Sequence, residues 1–302
     1  MRIGIIGTGW VGASIAISVL HDGTARELLL HDTRTEVAEG EAMDLRHGSS
    51  FYPSADVRAA GLDELVDCDA VVLTAGRGGR PGQSRLDLLR ENAAVAREIG
   101  ARLAGARGII VVVTNPVDVM TQLVAEASGL PPERVVGTGT MLDTARLRQV
   151  LGRELGLEPR SIHGQVIGEH GDSEVVLWSS IEIGGRRLRD LARWDRGREP
   201  AVAAEIRTAA AEIIRRKGAT NHAIGLVTAA LLRWILRGER RVLTVSRVHD
   251  GAAGISGVAL SLPTVVGRDG ATEVIVPDMD DTERAGLVRS AEILRAARAS
   301  VS

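Results

Sequence analysis

The chain has 302 residues, 44% of them hydrophobic, so it can bury a sizeable core as two domains or one large α/β unit. A formal net charge of −2 gives no electrostatic case for binding nucleic acid or an anionic membrane surface. Cys68 is the only cysteine, which excludes an internal disulfide and a metal–thiolate cluster; no metal site is expected.

No apolar run of about 18 residues free of charge is present, so no transmembrane helix is expected. Glycines at 7 and 9 interrupt the first apolar run before it could serve as a secretory signal. A cytoplasmic protein is the default expectation.

Residues 3–6 read as a short, fully buried parallel strand. They lead into Gly7-Thr8-Gly9-Trp10-Val11-Gly12 and then a helical stretch over 13–20. The spacing is G-x-G-x-x-G. The first glycine permits a tight turn, the second lets a pyrophosphate approach the backbone, and the third lets helix and strand pack closely. The helix start then faces the phosphates with free N–H groups and a favourable dipole. Such a loop alone is weak evidence, but a second apolar run at 28–30 ends in His31-Asp32. An acidic residue there can accept hydrogen bonds from both ribose hydroxyls of an adenosine and would repel a 2′-phosphate, which favours NAD over NADP.

The alternation continues. Residues 35–46 read as a helix, 57–60 as a strand and 70–75 as a buried strand. Ala75 and Gly76 stand at that strand's end, the edge where open α/β sheets bind ligands. A Gly- and Arg-rich stretch from Gly76 through Gly79 to Arg85 cannot hold a regular element and is expected to form a loop able to move. A helix over 86–103, a strand over 109–114 ending at Asn115-Pro116, a helix over 117–128 and a strand at 135–136 complete the first half.

Gly137-Thr138-Gly139-Thr140 reads as a hinge, dividing the chain into 1–139 and 140–302. The helix expected over 141–155 carries Asp143 and Arg146 three apart on one face. Strands are expected over 162–167 and 175–183. Between them lies Gly168-Glu169-His170-Gly171-Asp172-Ser173, where glycines allow a sharp turn that presents His170. Helices over 199–217 and 221–236, antiparallel strands over 242–248, 256–266 and 274–276, and an amphipathic helix over 282–299 finish the chain. Trp10, Trp178, Trp194 and Trp234 are scattered and read as packing residues.

Taken in order, the glycine loop, Thr114-Asn115-Pro116, Leu142-Asp143-Thr144-Ala145-Arg146 and the Gly168–Ser173 motif resemble the lactate and malate dehydrogenase family over essentially the whole chain. The resemblance implies an N-terminal Rossmann dinucleotide-binding domain and a C-terminal α+β substrate domain. It also implies NAD as cofactor, bound by Gly7, Gly9, Trp10, Val11, Gly12, Asp32, Ala75, Gly76, Asn115 and Ile224. By the same resemblance His170 is the general acid toward the carbonyl oxygen of a 2-oxo acid, and Asp143 accepts its other N–H. Arg146 grips the substrate carboxylate, Arg85 polarises the carbonyl, and Asn115 and Thr220 face the substrate.

Glu169 and Thr220 resemble the lactate enzymes, and pyruvate and lactate are the expected substrate pair. The position that separates lactate from malate enzymes falls on Gly79, which leaves room rather than specifying charge. Malate, or a bulkier 2-hydroxy acid, is therefore the alternative. Arg148 and His163 match positions where allosteric bacterial lactate dehydrogenases bind fructose 1,6-bisphosphate between subunits, which implies a homo-oligomer, a dimer or a tetramer. An NAD- and metal-dependent glycosidase would need a cysteine and histidine metal site, and Cys68 is badly placed for one. A non-catalytic NAD-binding protein would be expected to lack one of His170, Asp143, Arg146 or Arg85, and all four are present.

Overall fold

The computed structural model describes residues 1–78 and 85–301; Gly79 and the Arg85 side chain lie outside the described residues. Buried β-branched and leucine runs form the strands of the first half. These are β1 (Arg2–Ile6), β2 (Glu27–His31), β3 (Asp56–Ala59), β4 (Ala70–Leu73), β5 (Ile109–Val112) and β6 (Val135–Gly137). Between them run α1 (Trp10–His21), α2 (Thr35–His47), α3 (Arg85–Arg102) and α4 (Val117–Ser128). All six strands pair in parallel, in the order β3-β2-β1-β4-β5-β6 read from the edge inward. That is the doubly wound dinucleotide-binding order, with β1 and β4 adjacent where the winding reverses.

The second half contains α5 (Met141–Leu155), β7 (Ile162–His163), β8 (Val166–Ile167), β9 (Val175–Val176), β10 (Glu182–Ile183) and β11 (Arg186–Arg187). It continues through α6 (Glu199–Lys217), α7 (His222–Arg237), β12 (Arg241–Asp250), β13 (Ser256–Gly267), β14 (Gly270–Val274) and α8 (Asp281–Ala299). The long antiparallel strands β12, β13 and β14 extend the central sheet beyond β6, so one nine-stranded sheet runs through both halves. One face packs α3, α4 and α8 through Ile110, Leu123 and Leu287; the other packs α1, α2 and α7 through Ile15, Leu30 and Leu232. A third core, around Leu147, Ile162 and Ile206, sits beneath α5 and α6.

Four expectations are corrected. The 162–167 and 175–183 strands each break in two. β7 and β8 separate at Gly164 because they take different partners, β10 for the first and β9 for the second. Glu283 captures Ser179 through its N–H (2.9 Å) and hydroxyl (2.5 Å), drawing the chain out of the β9 line. The last strand begins earlier than 274, because Gly270 (φ +93) closes the turn from β13 and pairs with Gly267. At 137–140, where the two units meet, Gly137 pairs with Ser246 and the Thr138 N–H donates to Val112 O at 2.9 Å. A Cβ on Gly139 would lie 2.2 Å from Ser261 Oγ. Trp178 and Trp194 do pack together, their ring centroids 6.1 Å apart, but Trp10 is 63% exposed at the start of α1.

Candidate active site

The strand order places the β1–α1 turn and the C-terminal ends of β2, β4 and β5 along one sheet edge. In the turn the three glycines answer three different constraints. Gly7 has φ +95, a conformation unfavourable to other residues. A Cβ on Gly12 would fall 1.9 Å from Gly7 O, so α1 could not lie so close to the turn. Gly9 has nothing within 4 Å of its Cβ position and leaves the backbone open to approach. α1 carries no side-chain cap and no acidic residue in its first turn, so its first N–H groups keep their positive field. A pyrophosphate fits this cradle, with Trp10 and Val11 in the first turn beside it.

Asp32 follows β2 and faces the same turn. Its Oδ2 accepts from the Thr8 N–H at 3.0 Å and the Thr8 hydroxyl at 3.2 Å, and Oδ1 accepts from the Arg34 N–H at 3.0 Å. Burial alone would raise its proton affinity, but these donors outweigh it and hold the carboxyl below its ordinary value. Asp32 is therefore an ionised acceptor suited to ribose hydroxyls.

Ala75 and Gly76 lie against the turn: Gly7 abuts the Ala75 backbone, and a Cβ on Gly76 would meet Thr114 Cγ2 at 2.6 Å. The Asn115 side chain is turned toward the start of α4, where Oδ1 accepts the Val117 N–H at 3.3 Å. Sequence reasoning missed Asn92, which is buried on α3. Its Oδ1 accepts the Arg77 N–H at 2.7 Å, and its Nδ2 donates to Asn115 O at 3.0 Å, joining two edge loops. An asparagine on the helix face otherwise lined by Leu89, Ala93 and Ala96 was the available signal.

α7 seats itself on α1 through Gly225, whose Cβ would lie 2.8 Å from Ser14 O, and through Asn221 Nδ2, which donates to Ser14 Oγ at 2.8 Å. This contact carries half-buried Ile224 to the nucleotide half. Thr220 stands just before the helix, half-buried, with no described hydrogen bond to the histidine cluster.

That cluster is built by β8, β9, α5 and α4. Gly168 (φ +84) turns the chain after β8 and exchanges backbone hydrogen bonds with Ser261 on β13. Glu169 folds back into its own turn: its N–H donates to Ser290 Oγ at 2.6 Å, and Oε2 accepts the Ser173 hydroxyl at 2.5 Å. The turn so braced presents His170. Its Nδ1–H donates to Asp143 Oδ2 at 2.5 Å, and Arg146 Nη1 donates to Asp143 Oδ1 at 2.6 Å. Asp143 is 1% exposed, so both contacts act in a low-dielectric setting.

Burial opposes charge on His170, but the Asp143 carboxylate, with help from Asp118, reverses this and lifts the imidazole to about 9. The ring is therefore an imidazolium at neutral pH, with Nε2–H available for donation. Glu174 is also buried, and burial together with the Asp143 charge pushes it up to about 8, so it is a neutral acid at neutral pH.

The expected residues thus fall into two groups, a nucleotide cradle and an acid–base cluster. Gly79 and the Arg85 side chain lie outside the described residues. Arg148 and His163 meet at a separate place, where Arg148 Nε donates to Gly164 O at 3.2 Å beside exposed His163. Among the described residues, no helix is long and apolar enough to cross a membrane.

The sequence matches "lactate/malate dehydrogenase, NAD binding domain" over residues 1–137 and "lactate/malate dehydrogenase, alpha/beta C-terminal domain" over 140–301. It is 44% identical to an L-lactate dehydrogenase of Salinibacter ruber, covering 99% of this chain and 97% of that one. It is 41% identical to an L-lactate dehydrogenase of Thermus aquaticus, covering 100% and 99%. Its fold is similar to the ligand-bound minor L-lactate dehydrogenase of Enterococcus mundtii, with TM-score 0.97 and 40% identity over 100% of this chain and 98% of the other.

Proposed function

This chain belongs to the lactate/malate dehydrogenase family, and from that premise we propose that it is an NAD-dependent L-2-hydroxy-acid dehydrogenase that interconverts pyruvate and L-lactate in the cytoplasm. The observation that carries this is the Arg146–Asp143–His170 chain around buried Asp143, which keeps a proton on an imidazole beside a guanidinium with N–H groups to spare. Full-length similarity to L-lactate dehydrogenases supports the substrate assignment.

Bound NADH supplies the hydride that reduces the substrate carbonyl carbon. Gly7, Gly9, Trp10, Val11 and Gly12 hold the pyrophosphate, and Asp32 takes the ribose hydroxyls. Ala75, Gly76, Asn115 and Ile224 line the nicotinamide end. Arg146 spends one N–H on Asp143 and has others for the substrate carboxylate, which it can meet with two parallel hydrogen bonds. His170 holds at Nε2 the proton that passes to the carbonyl oxygen and recovers it in the reverse direction. Asp143 fixes the ring and stabilises its charge. Thr220 bounds the space beside the substrate; the roles that the family resemblance gives to the Arg85 side chain and Gly79 fall outside the described residues.

A homo-oligomer with a bisphosphate site at Arg148 and His163 belongs to the same proposal. Exposed Trp10 (63%), Leu226 (66%) and Phe51 (87%) support association of copies. Sedimentation with and without fructose 1,6-bisphosphate tests it: a larger species with the sugar is expected, and an unchanged monomer would remove this part.

The central test is NADH oxidation with pyruvate, oxaloacetate and larger 2-oxo acids. Pyruvate is expected to give the highest kcat/KM. Preference for oxaloacetate would reassign the enzyme to malate.

A further inference from the structure

His170 receives a second carboxylate from the other half of the chain. Asp118 lies in the first turn of α4, is 2% exposed, and accepts the His170 main-chain N–H on Oδ2 at 2.7 Å. Its other oxygen, Oδ1, and the Ser246 hydroxyl are both buried without a hydrogen bond. Ser246 nonetheless lies close enough to lower the proton affinity of Asp118. An ionisable group at this depth is costly and needs a return.

We propose that Asp118 is a positioning residue for His170: it clamps the turn that carries the imidazole and gives the ring a second negative neighbour. This rests on the proposed role of His170 as the proton-holding group.

The need follows from charge. Asp143 is shared between His170 and Arg146, and the Arg146 guanidinium works against protonation of the ring. Imidazolium and guanidinium set against one carboxylate leave the cluster net positive. Asp118 restores the balance. Glu174 cannot do so while it holds its own proton, and the remaining charged neighbours are Glu169, which faces Asp118, and Arg207, which faces Glu174.

Burial pushes Asp118 up to about 6, and the His170 N–H and Ser246 restrain the rise. Between that value and about 9 for His170, Asp118 is ionised while the imidazole is protonated. The clamp also has the right reach. Asp118 sits two residues beyond Pro116 on the segment that begins with Asn115, so one short stretch serves both the ligand edge and the acid.

Asp118→Asn keeps an oxygen that can accept the main-chain N–H and removes the charge; Asp118→Ala removes both. The chain has seven histidines, and His170→Asn identifies the resonance of His170 in a carbon-labelled histidine NMR titration of the protein without cofactor. In Asp118→Asn the His170 ionisation is expected to fall by about one pH unit, with the alkaline limb of kcat/KM moving alike. An unmoved His170 ionisation in folded Asp118→Asn overturns the electrostatic role. Asp118→Ala is expected to lose a further several-fold in kcat at unchanged KM for NADH; equal kcat in the two variants overturns the clamp. If Asp118→Ala does not fold, the Asn variant still decides the electrostatic role. Because the titration needs no turnover, its failure is distinct from failure of the dehydrogenase assignment, which full activity of His170→Asn would reveal.

Discussion

Two histidines in this protein, one partly exposed and one buried, have opposite chemistry. His170, in the turn after β8, is raised to about 9, whereas His249 on β12 is lowered to about 4. Burial disfavours the imidazolium in both places. The neighbours decide the outcome. His170 has the Asp143 carboxylate on its ring and the Asp118 carboxylate on its main chain. His249 has only the Leu260 carbonyl at 3.0 Å, an unpartnered Nδ1 and the repelling charge of Arg247. One ring keeps its proton at neutral pH; the other is a neutral ring packed into a sheet.

The contrast can be broken at His170 first. His170→Asn removes the proton carrier, and kcat should fall by about 1,000-fold while NADH binding, read by fluorescence titration, is retained. Wild-type turnover in this variant would end the acid–base assignment. Asp143→Asn makes His170 resemble His249. Its ionisation should drop by about two pH units and kcat/KM at neutral pH by about 100-fold, measured by the same NMR titration and steady-state rates. In the unaltered enzyme, pyruvate reduction should decline above about pH 9, as the imidazolium proton is lost.

At His249 the sign is reversed. Its folded-state affinity lies below the unfolded value of 6.5, so the unfolded chain binds the proton first as pH falls. Stability is therefore lost from about pH 6.5 down to about pH 4, by roughly 3 kcal/mol at full effect. Urea unfolding of His249→Leu should show a shallower decline over that window, and an identical slope would exclude His249 as its source. The smallest effect is expected where a carboxylate meets a base in water. Glu205→Gln, opposite Arg153 at 2.9 Å on the surface, should leave the thermal midpoint within about one degree of the parent.

The parallel half was legible because its cues are local. A buried strand, a glycine turn and a helix follow one another in sequence, and Asp32 lies at the end of the next strand. Each element carries its own pattern of apolar residues, and the turn geometry demands glycine at Gly7 and Gly12 wherever the rest of the chain goes. The 162–183 region was less legible. Its strand breaks are imposed from outside, by Glu283 holding Ser179 and by the separate pairing of β7 with β10 and β8 with β9. Trp10 misled for the opposite reason, since an aromatic residue carries no local mark of whether it is covered.

The acid–base cluster divides in the same way. Asp143 and Arg146 are one helical turn apart, so their shared face follows from the period of the helix. The glycines around His170 likewise announce a turn. Asp118 and Asn92 are harder to read: each is a polar residue in a helical pattern, and nothing local says which backbone group on another element is its partner.

The sequence alone determined the alternating parallel half, the glycine turn with the acidic residue that faces it, and the helix and turn that carry Asp143, Arg146 and His170. These depend on backbone sterics and on spacings of a few residues. Tertiary structure decided that the sheet continues beyond β6 into the second half, that Glu169 braces its own turn, and that Asp118 reaches His170 across the two halves. Those outcomes depend on burial and on hydrogen bonds between groups far apart in the chain, and a buried carboxylate acquires its proton affinity only when its neighbours are in place.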